Sequence, residues 1–328
     1  MESEPPAQVA ELGYYPFSAW LRRRFGCKVH KVSLHAGFTC PNRDGKAGSG
    51  GCTYCVNESF SPQAGQPLRP VREQMADGIG YMRRRYHAAK FIAYFQAFSN
   101  TYADLATLKR LYDEAVDFPD VVGISIGTRP DCVPDDVLDL IQSYTDRVDV
   151  WVEYGIQTAH DETLRRVNRG HDFACFHDAV ARTRGRGIHV CAHVILGLPG
   201  ETHEMMMQTA EALQPLGLEG IKLHHLYIAR HTPLEAEYRA GRVPLFTVEE
   251  YVRTACDFLE RIPAGVAVQR LVGDTTSSDV LLAPLWPHTK TDVLRMISEE
   301  FRRRGTMQGT RVSAQKQDAR CVLACGSH

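Results

Sequence analysis

Apolar runs of strand length alternate along this chain with longer segments of helical period, and that alternation narrows the possible folds more than any other feature. The strand-like runs are Lys28–His35, Phe91–Phe95, Val121–Gly127, Val148–Gln157, His189–Leu198 and Gly220–Ile228, with Val266–Gly273 a seventh. Helices are predicted between them at about 71–88, 103–117, 134–146, 173–186, 202–216 and 247–262. Pro134 followed by Asp135 and Asp136 marks one helix start, and Thr202 with Glu204 marks another. Strand–helix repetition at this spacing implies parallel strands joined by right-handed crossovers. Runs that are apolar throughout fit a sheet covered on both faces or closed on itself. The expected fold is α/β, a partial (β/α)6-type TIM barrel over residues 28–286. It has an N-terminal extension (1–27) and a C-terminal part (287–328) in which a helix, Lys290–Arg304, leads to a polar tail.

Chemistry on such a fold sits at the C-terminal ends of the strands. The segments there are unusual. Cys40, Cys52 and Cys55 follow the first strand in "CPNRDGKAGSGGCTYC", a C-x11-C-x2-C spacing in a loop rich in Gly, Asn and Asp. Three thiolates can bind zinc with a fourth ligand, for which His35 is near in sequence, or three irons of a [4Fe-4S] cluster. In the second case one iron keeps an open position for a small molecule. The place of the loop on the expected catalytic face favours the cluster. The remaining candidates at strand ends are "QAFSNTY" from Gln96, "TRPDC" from Thr128, Glu153 and Gln157, "GLPGET" from Gly197, and His224 with His225.

Composition sets limits. No apolar run approaches the roughly 20 residues of a membrane span, and the acidic, Pro-bearing start "MESEPPAQVAELGYY" does not read as a secretory signal. A cytoplasmic location follows, where ten cysteines stay reduced and clustered ones serve as metal ligands or catalysts. A net charge of −1 gives no overall nucleic-acid signal. Arginines cluster at 22–24, 83–85 and 302–304, at Arg165, Arg166 and Arg169, and at Arg182, Arg184 and Arg186. Each cluster alone reads as a solvated helix face; gathered on one side they would track phosphates.

Taken together, "KVHKVSLHAGFTCPNRDG…GGCTYC", "YFQAFSNTYA", "GTRPDCVPDDVLDLI", "VEYGIQTAHDETLRRVNRGHDF", "HVILGLPGET" and "LAPLW" resemble the radical S-adenosylmethionine (SAM) enzymes, over roughly residues 15–300. Within them the likeness is to a bacterial family related to the elongator catalytic subunit. The long gap between Cys40 and Cys52 departs from the commonest C-x3-C-x2-C pattern but is typical of this branch.

The resemblance implies two cofactors, a [4Fe-4S] cluster and SAM, with cleavage of SAM to a 5′-deoxyadenosyl radical that takes hydrogen from substrate. It implies that Cys40, Cys52 and Cys55 ligate the cluster and that Tyr54 packs near the adenine. Backbone at Gln96, Ala97 and Phe98 would accept from the SAM amino group. Glu153 and Gln157 would lie near the ribose and methionine, and Arg169 would fork onto the SAM carboxylate. Gly197 and Leu198 would lie near adenine and ribose. Arg129, Asp131, Lys222, His224 and His225, with His193, come from strand ends where substrate would sit.

Plainer readings stand beside these: a rim loop residue for Tyr54, an ion pair with a neighbouring Arg for Glu153, a capped turn for "GLPGET", and satisfied polar residues for the substrate set. Arg165 or Arg166 could take the role given to Arg169. Cys132, Cys175, Cys191 and Cys256 read as small buried residues, with Cys132 a candidate for the cavity, and Cys321 and Cys325 as incidental.

The relation to elongator-type enzymes implies a tRNA substrate, with trimming of a carboxymethylaminomethyl group on the wobble uridine to aminomethyl. It also implies an electron donor such as flavodoxin or ferredoxin. A small-molecule or protein substrate is the alternative. A zinc-stabilised nucleic-acid-binding barrel without catalysis is a second.

Overall fold

All seven expected strands form, and each pairs with its neighbour in chain order. The computed structural model describes residues 7–59, 61–273 and 279–312, so Cys321 and Cys325 lie outside the described residues. The strands are β1 (Val29–Leu34), β2 (Lys90–Phe95), β3 (Val121–Thr128), β4 (Asp149–Gln157), β5 (His189–Leu196), β6 (Gly220–His225), β7 (Ile228–Ala229), β8 (Ala267–Arg270) and β9 (Leu281–Ala283). The main sheet runs β1-β2-β3-β4-β5-β6-β8, every pairing parallel, and curls into a half-barrel. Among the described residues no backbone ladder joins β8 back to β1.

The helices are α1 (Ala7–Leu12), α2 (Phe17–Phe25), α3 (Val71–Tyr86), α4 (Leu105–Val116), α5 (Asp135–Gln142), α6 (Asp161–Arg166), α7 (Phe173–Thr183), α8 (His203–Leu213), α9 (Pro233–Arg239), α10 (Val248–Leu259) and α11 (Lys290–Arg304). α5 starts at the expected acidic pair. α8 starts at Thr202, whose hydroxyl accepts from the Met205 amide. The apolar run Gly220–Ile228 proves to be two strands. β6 ends at His225, Leu226 donates to the Leu196 carbonyl, and β7 then pairs antiparallel with β9. The reason is a separate apolar cluster at the rim, where Leu226, Ile228, Leu234 and Ala283 pack together. The seventh run is likewise shorter than Val266–Gly273, because its pairing with β6 ends at Arg270.

The barrel interior is layered by the two-residue period of its strands. At the N-terminal end of the strands, Trp151, Ile92, Cys191 and Ala267 pack on Phe17 and Leu21 of α2, which plugs the barrel. The Trp151 ring meets Phe17 and Trp20 edge-on, at 5.1 and 5.0 Å between centroids. One step up, the layer is polar: Lys31, Tyr94, Ser125, Glu153, His193, Lys222 and Gln269 are joined by hydrogen bonds. Lys31 reaches across the unpaired seam from β1 to Gln269 of β8, 2.7 Å away.

The three arginine triplets fall in the last turns of α2, α3 and α11. There they complement the negative helix end. Their partners lie on the same face: Arg24 forks onto Asp149 at the start of β4 at 2.9 Å, Arg83 pairs with Asp120 ahead of β3, and Arg304 binds Asp257 and Glu300. This is the end of the barrel opposite the cysteine loop. One or two arginines of each triplet are paired at these helix ends, and the triplets do not gather on the catalytic side.

Replacing Trp151 by Ala empties the plugged end, because its ring is fully buried. The expected loss is about 3–5 kcal/mol of stability, read by chemical denaturation. Trp20→Ala, at a half-buried position, costs less.

Candidate functional site

A cavity of about 190 Å³ opens at the C-terminal ends of the strands, and its wall carries Cys40, Cys52 and Cys55. The long spacing between the first two is taken up by a closed loop. Asp44 bridges Ser49, the Ala47 amide donates to the Pro41 carbonyl at 2.8 Å, and the Gly51 amide donates to the Asn42 carbonyl at 2.8 Å. The eleven residues thus leave and return at one point, which brings Cys52 back beside the turn that carries Cys40. The return needs glycine: a Cβ on Gly48 would lie 2.2 Å from Asn42 Oδ1, and Gly51 has φ of +79°.

Two asparagines that sequence reasoning missed hold this loop. The Asn42 amide donates to the Asn168 carbonyl at 2.5 Å, and the Asn168 amide donates back to the carbonyls of Gly51 and Ser49 at 2.8 and 3.1 Å. Next to it Arg169 is buried. It donates to Cys52 Sγ at 3.5 Å and to the Gly155 carbonyl, and its Nε has no partner among the described residues. A Cβ on Gly155 would lie 2.8 Å from that guanidinium, so only glycine admits it. Burial alone would raise the Cys52 thiol, yet the Arg169 charge and hydrogen bond bring it below its ordinary value. Burial and the neighbouring Cys52 push Cys55 up to about 11. Arg129 donates to the Arg169 carbonyl at 2.7 Å and forks onto Asp131 at 2.8 and 2.6 Å.

The other sequence candidates divide. Tyr54, Gln96, Phe98, Glu153, Gln157, Arg129, Arg169, Lys222, His224 and His225 line the cavity with the thiols. Ala97, Asp131, Gly197, Leu198 and Cys132 are not on its wall. Gly197 is packed against the Phe246 ring, and Leu198 is buried in the rim cluster. Cys191 and Cys256 are fully buried, and Cys175 is half-buried. His35 faces Phe98 at 6.0 Å and is not on the wall either. Among the described residues no three His, Cys, Asp or Glu side chains converge on a point that one metal ion could occupy. Three thiols opening on one cavity, with guanidinium groups beside them, suit a larger cluster with a free corner.

The polar layer forms the floor. Glu153 is fully buried. Its Oε1 accepts from Lys31 at 2.5 Å and Ser125 at 2.6 Å; its Oε2 accepts from Lys222 and meets His193 Nε2 at 2.9 Å. Burial would raise this carboxyl, but the ammonium groups of Lys222 and Lys31 hold it well below the usual carboxylate range. Lys222 is pulled down to about 7 by burial, aided by Lys31 and Arg270 and opposed by Glu153. The cations paired with Glu153 are thus two lysines, and no arginine. Lys31, Ser125 and Gln269 were not singled out in the sequence. The available signal was a charged or amide side chain on the inward period of an apolar strand.

The sequence matches the Radical SAM superfamily over residues 40–213 and a Radical SAM C-terminal domain over 218–303. The chain belongs to the radical SAM superfamily. It is 41% identical to YtqA of Bacillus subtilis over 94% of this chain and 96% of that protein, and 45% identical to YhcC of Escherichia coli over 82% and 86%. A more distant likeness, 27% over 47% of this chain and 33% of the relative, is to a tRNA uridine(34) acetyltransferase of Dehalococcoides mccartyi. Among solved structures the fold matches an Elp3 of the archaeon Methanocaldococcus infernus, with a TM-score of 0.66 at 16% identity, over 85% of this chain and 64% of that one. This chain therefore spans less than two thirds of that structure. As a radical SAM enzyme it uses a [4Fe-4S] cluster and SAM. No helix among the described residues is long and apolar enough to cross a membrane.

Glu153→Gln removes the charge shared by two ammonium groups, Lys222 buried and Lys31 half-buried. The radical SAM barrel is expected to lose about 3–5 kcal/mol of stability by urea denaturation. Ser125→Ala, which removes one neutral donor to the same oxygen, is expected to cost about 1 kcal/mol.

Proposed function

We propose that Cys40, Cys52 and Cys55 hold the cluster and that the cavity beneath it receives SAM and a substrate group. The observation that carries this reading is the shared cavity wall. The three thiols stand at its mouth and the buried Glu153 layer at its floor. When bound, the cluster and SAM supply a 5′-deoxyadenosyl radical that takes a hydrogen atom from substrate.

The protein's own part is placement. Arg169 and Arg43 keep positive charge beside the thiols, Arg43 by donating to the Cys55 carbonyl at 2.7 Å. Tyr54 and Gln157 present a ring and an amide to the wall, suited to adenine and to the ribose or methionine. Electrons come from a small donor such as flavodoxin or ferredoxin.

For the substrate we infer the wobble uridine of tRNA, with a carboxymethylaminomethyl side chain trimmed to aminomethyl. The likeness to a relative named for tRNA uridine(34) supports this, as does the resemblance to elongator-type enzymes. The arginine triplets play no part, since they cap helices on the far face. Phosphate contacts fall instead to cations on the cysteine-loop side, such as Lys46, Arg165 and Arg230.

Two measurements decide. Anaerobic reconstitution of the protein is expected to give broad visible iron–sulfur absorption that Cys52→Ala abolishes; zinc retained with no iron uptake sinks the radical reading. Nucleoside mass spectrometry of tRNA from a deletion strain of the source organism is expected to show the carboxymethylaminomethyl form accumulating. Wild type, but not Cys52→Ala, reverses it. Unchanged wobble nucleosides, or no tRNA binding at low salt, reject the tRNA substrate.

A further inference from the structure

One cation on the cavity wall has no counterpart among the described residues. The wall carries Arg43, Arg129, Arg169, Lys222 and Arg270. Arg129 is forked onto Asp131, Lys222 is bound to Glu153, Arg169 donates to Cys52 and the Gly155 carbonyl, and Arg43 to the Cys55 carbonyl. Among the described residues the Arg270 guanidinium makes no hydrogen bond and no ion pair, although its backbone pairs with Lys222. Among the described residues Glu153 is the one carboxylate on this wall, and both its oxygens are already taken twice.

The backbone has been adjusted to aim Arg270 inward. Gln269 already faces the interior, where it accepts from Lys31. Strict alternation along β8 would turn the next side chain away. The β6–β8 pairing is irregular between Ile221 and Lys222, and this places Arg270 in register with Lys222. Two cations at paired positions on adjacent strands repel each other. The fold therefore sets two like charges side by side over a floor whose one described carboxylate is saturated. An arrangement of that kind is relieved by an anion from outside.

We propose that Arg270, with Lys222 beside it, is a seat for a carboxylate carried by the substrate. A planar guanidinium matches a planar carboxylate with two parallel N–H···O bonds. The proposal rests on the reading of this cavity as the chamber where substrate meets SAM. It adds that the substrate enters with its carboxylate toward β6 and β8, which leaves the neighbouring carbon toward the thiol side. Arg270 is a positioning residue in this scheme.

The test uses the full-length, cluster-reconstituted protein in its oxidised state, labelled with ¹⁵N-arginine. Disappearance of one Nε–Hε resonance in Arg270→Lys assigns that residue. Acetate is expected to move the Arg270 resonance saturably, with a response at least about tenfold stronger than to acetamide. Equal response to the two probes overturns the seat, and saturation by inorganic phosphate at lower concentration than acetate overturns the carboxylate assignment. A second arm titrates 5-carboxymethylaminomethyluridine and 5-aminomethyluridine; preference for the first, lost in Arg270→Gln, supports the seat. If acetate saturates Arg270 while neither nucleoside binds, the seat stands and the wobble-uridine reading falls. If acetate fails, the seat falls whatever the nucleosides do.

Discussion

The ionised Glu153 carboxylate, buried in the middle of the barrel, is the interaction on which the rest depends. A carboxylate at zero exposure is prohibitively costly unless its charge and all its lone pairs are answered. Here the answer comes from β1, β3, β5 and β6 at once, through Lys31, Ser125, His193 and Lys222. Curling a seven-stranded sheet brings those strands within reach of one point, and the network makes one curvature better than its neighbours. The same polar layer separates two chemically distinct halves: an apolar plug around Trp151 below, and a cavity lined by thiols and guanidinium groups above.

The upper half is organised by a second device. The Asn42 side-chain amide donates to the Asn168 backbone and the Asn168 side-chain amide donates to the backbone of Ser49 and Gly51, so the cysteine loop and the segment after α6 hold each other in place. Arg169, adjacent to Asn168, is thereby delivered to Cys52. Long-range order here comes from short polar side chains meeting carbonyls, which is why the loop can dispense with a hydrophobic core of its own.

The β/α period made the architecture legible, because each strand pairs with its sequence neighbour and each crossover has one hand. The three thiols were legible for a similar reason, since spacing and position at a strand end both single them out. Lys31 and Gln269 were not, because a single polar residue in an apolar run says nothing until the curl of the sheet sets it opposite its partner. Asn42 and Asn168 were hidden differently: they are 126 residues apart, and their pairing is a property of tertiary contact alone. The split of Gly220–Ile228 into two strands was hidden by a continuous apolar pattern that serves two cores. The arginine triplets show the converse, a visible charge pattern whose role is local to its helix ends.

The seam between β1 and β8 has one more consequence. Elsewhere around the sheet, the distance between strands is fixed by backbone ladders. At the seam it is spanned at mid-depth by the Lys31–Gln269 contact, and near the plugged end by Tyr15, whose carbonyl accepts from the Val268 amide at 2.7 Å. The sheet is thus a cup with one unglued stave, tight at its base and, among the described residues, held higher up by one flexible side chain. A guest too wide for the cavity is accommodated there by turning rotamers, at the expense of one side-chain bond and without unzipping any strand.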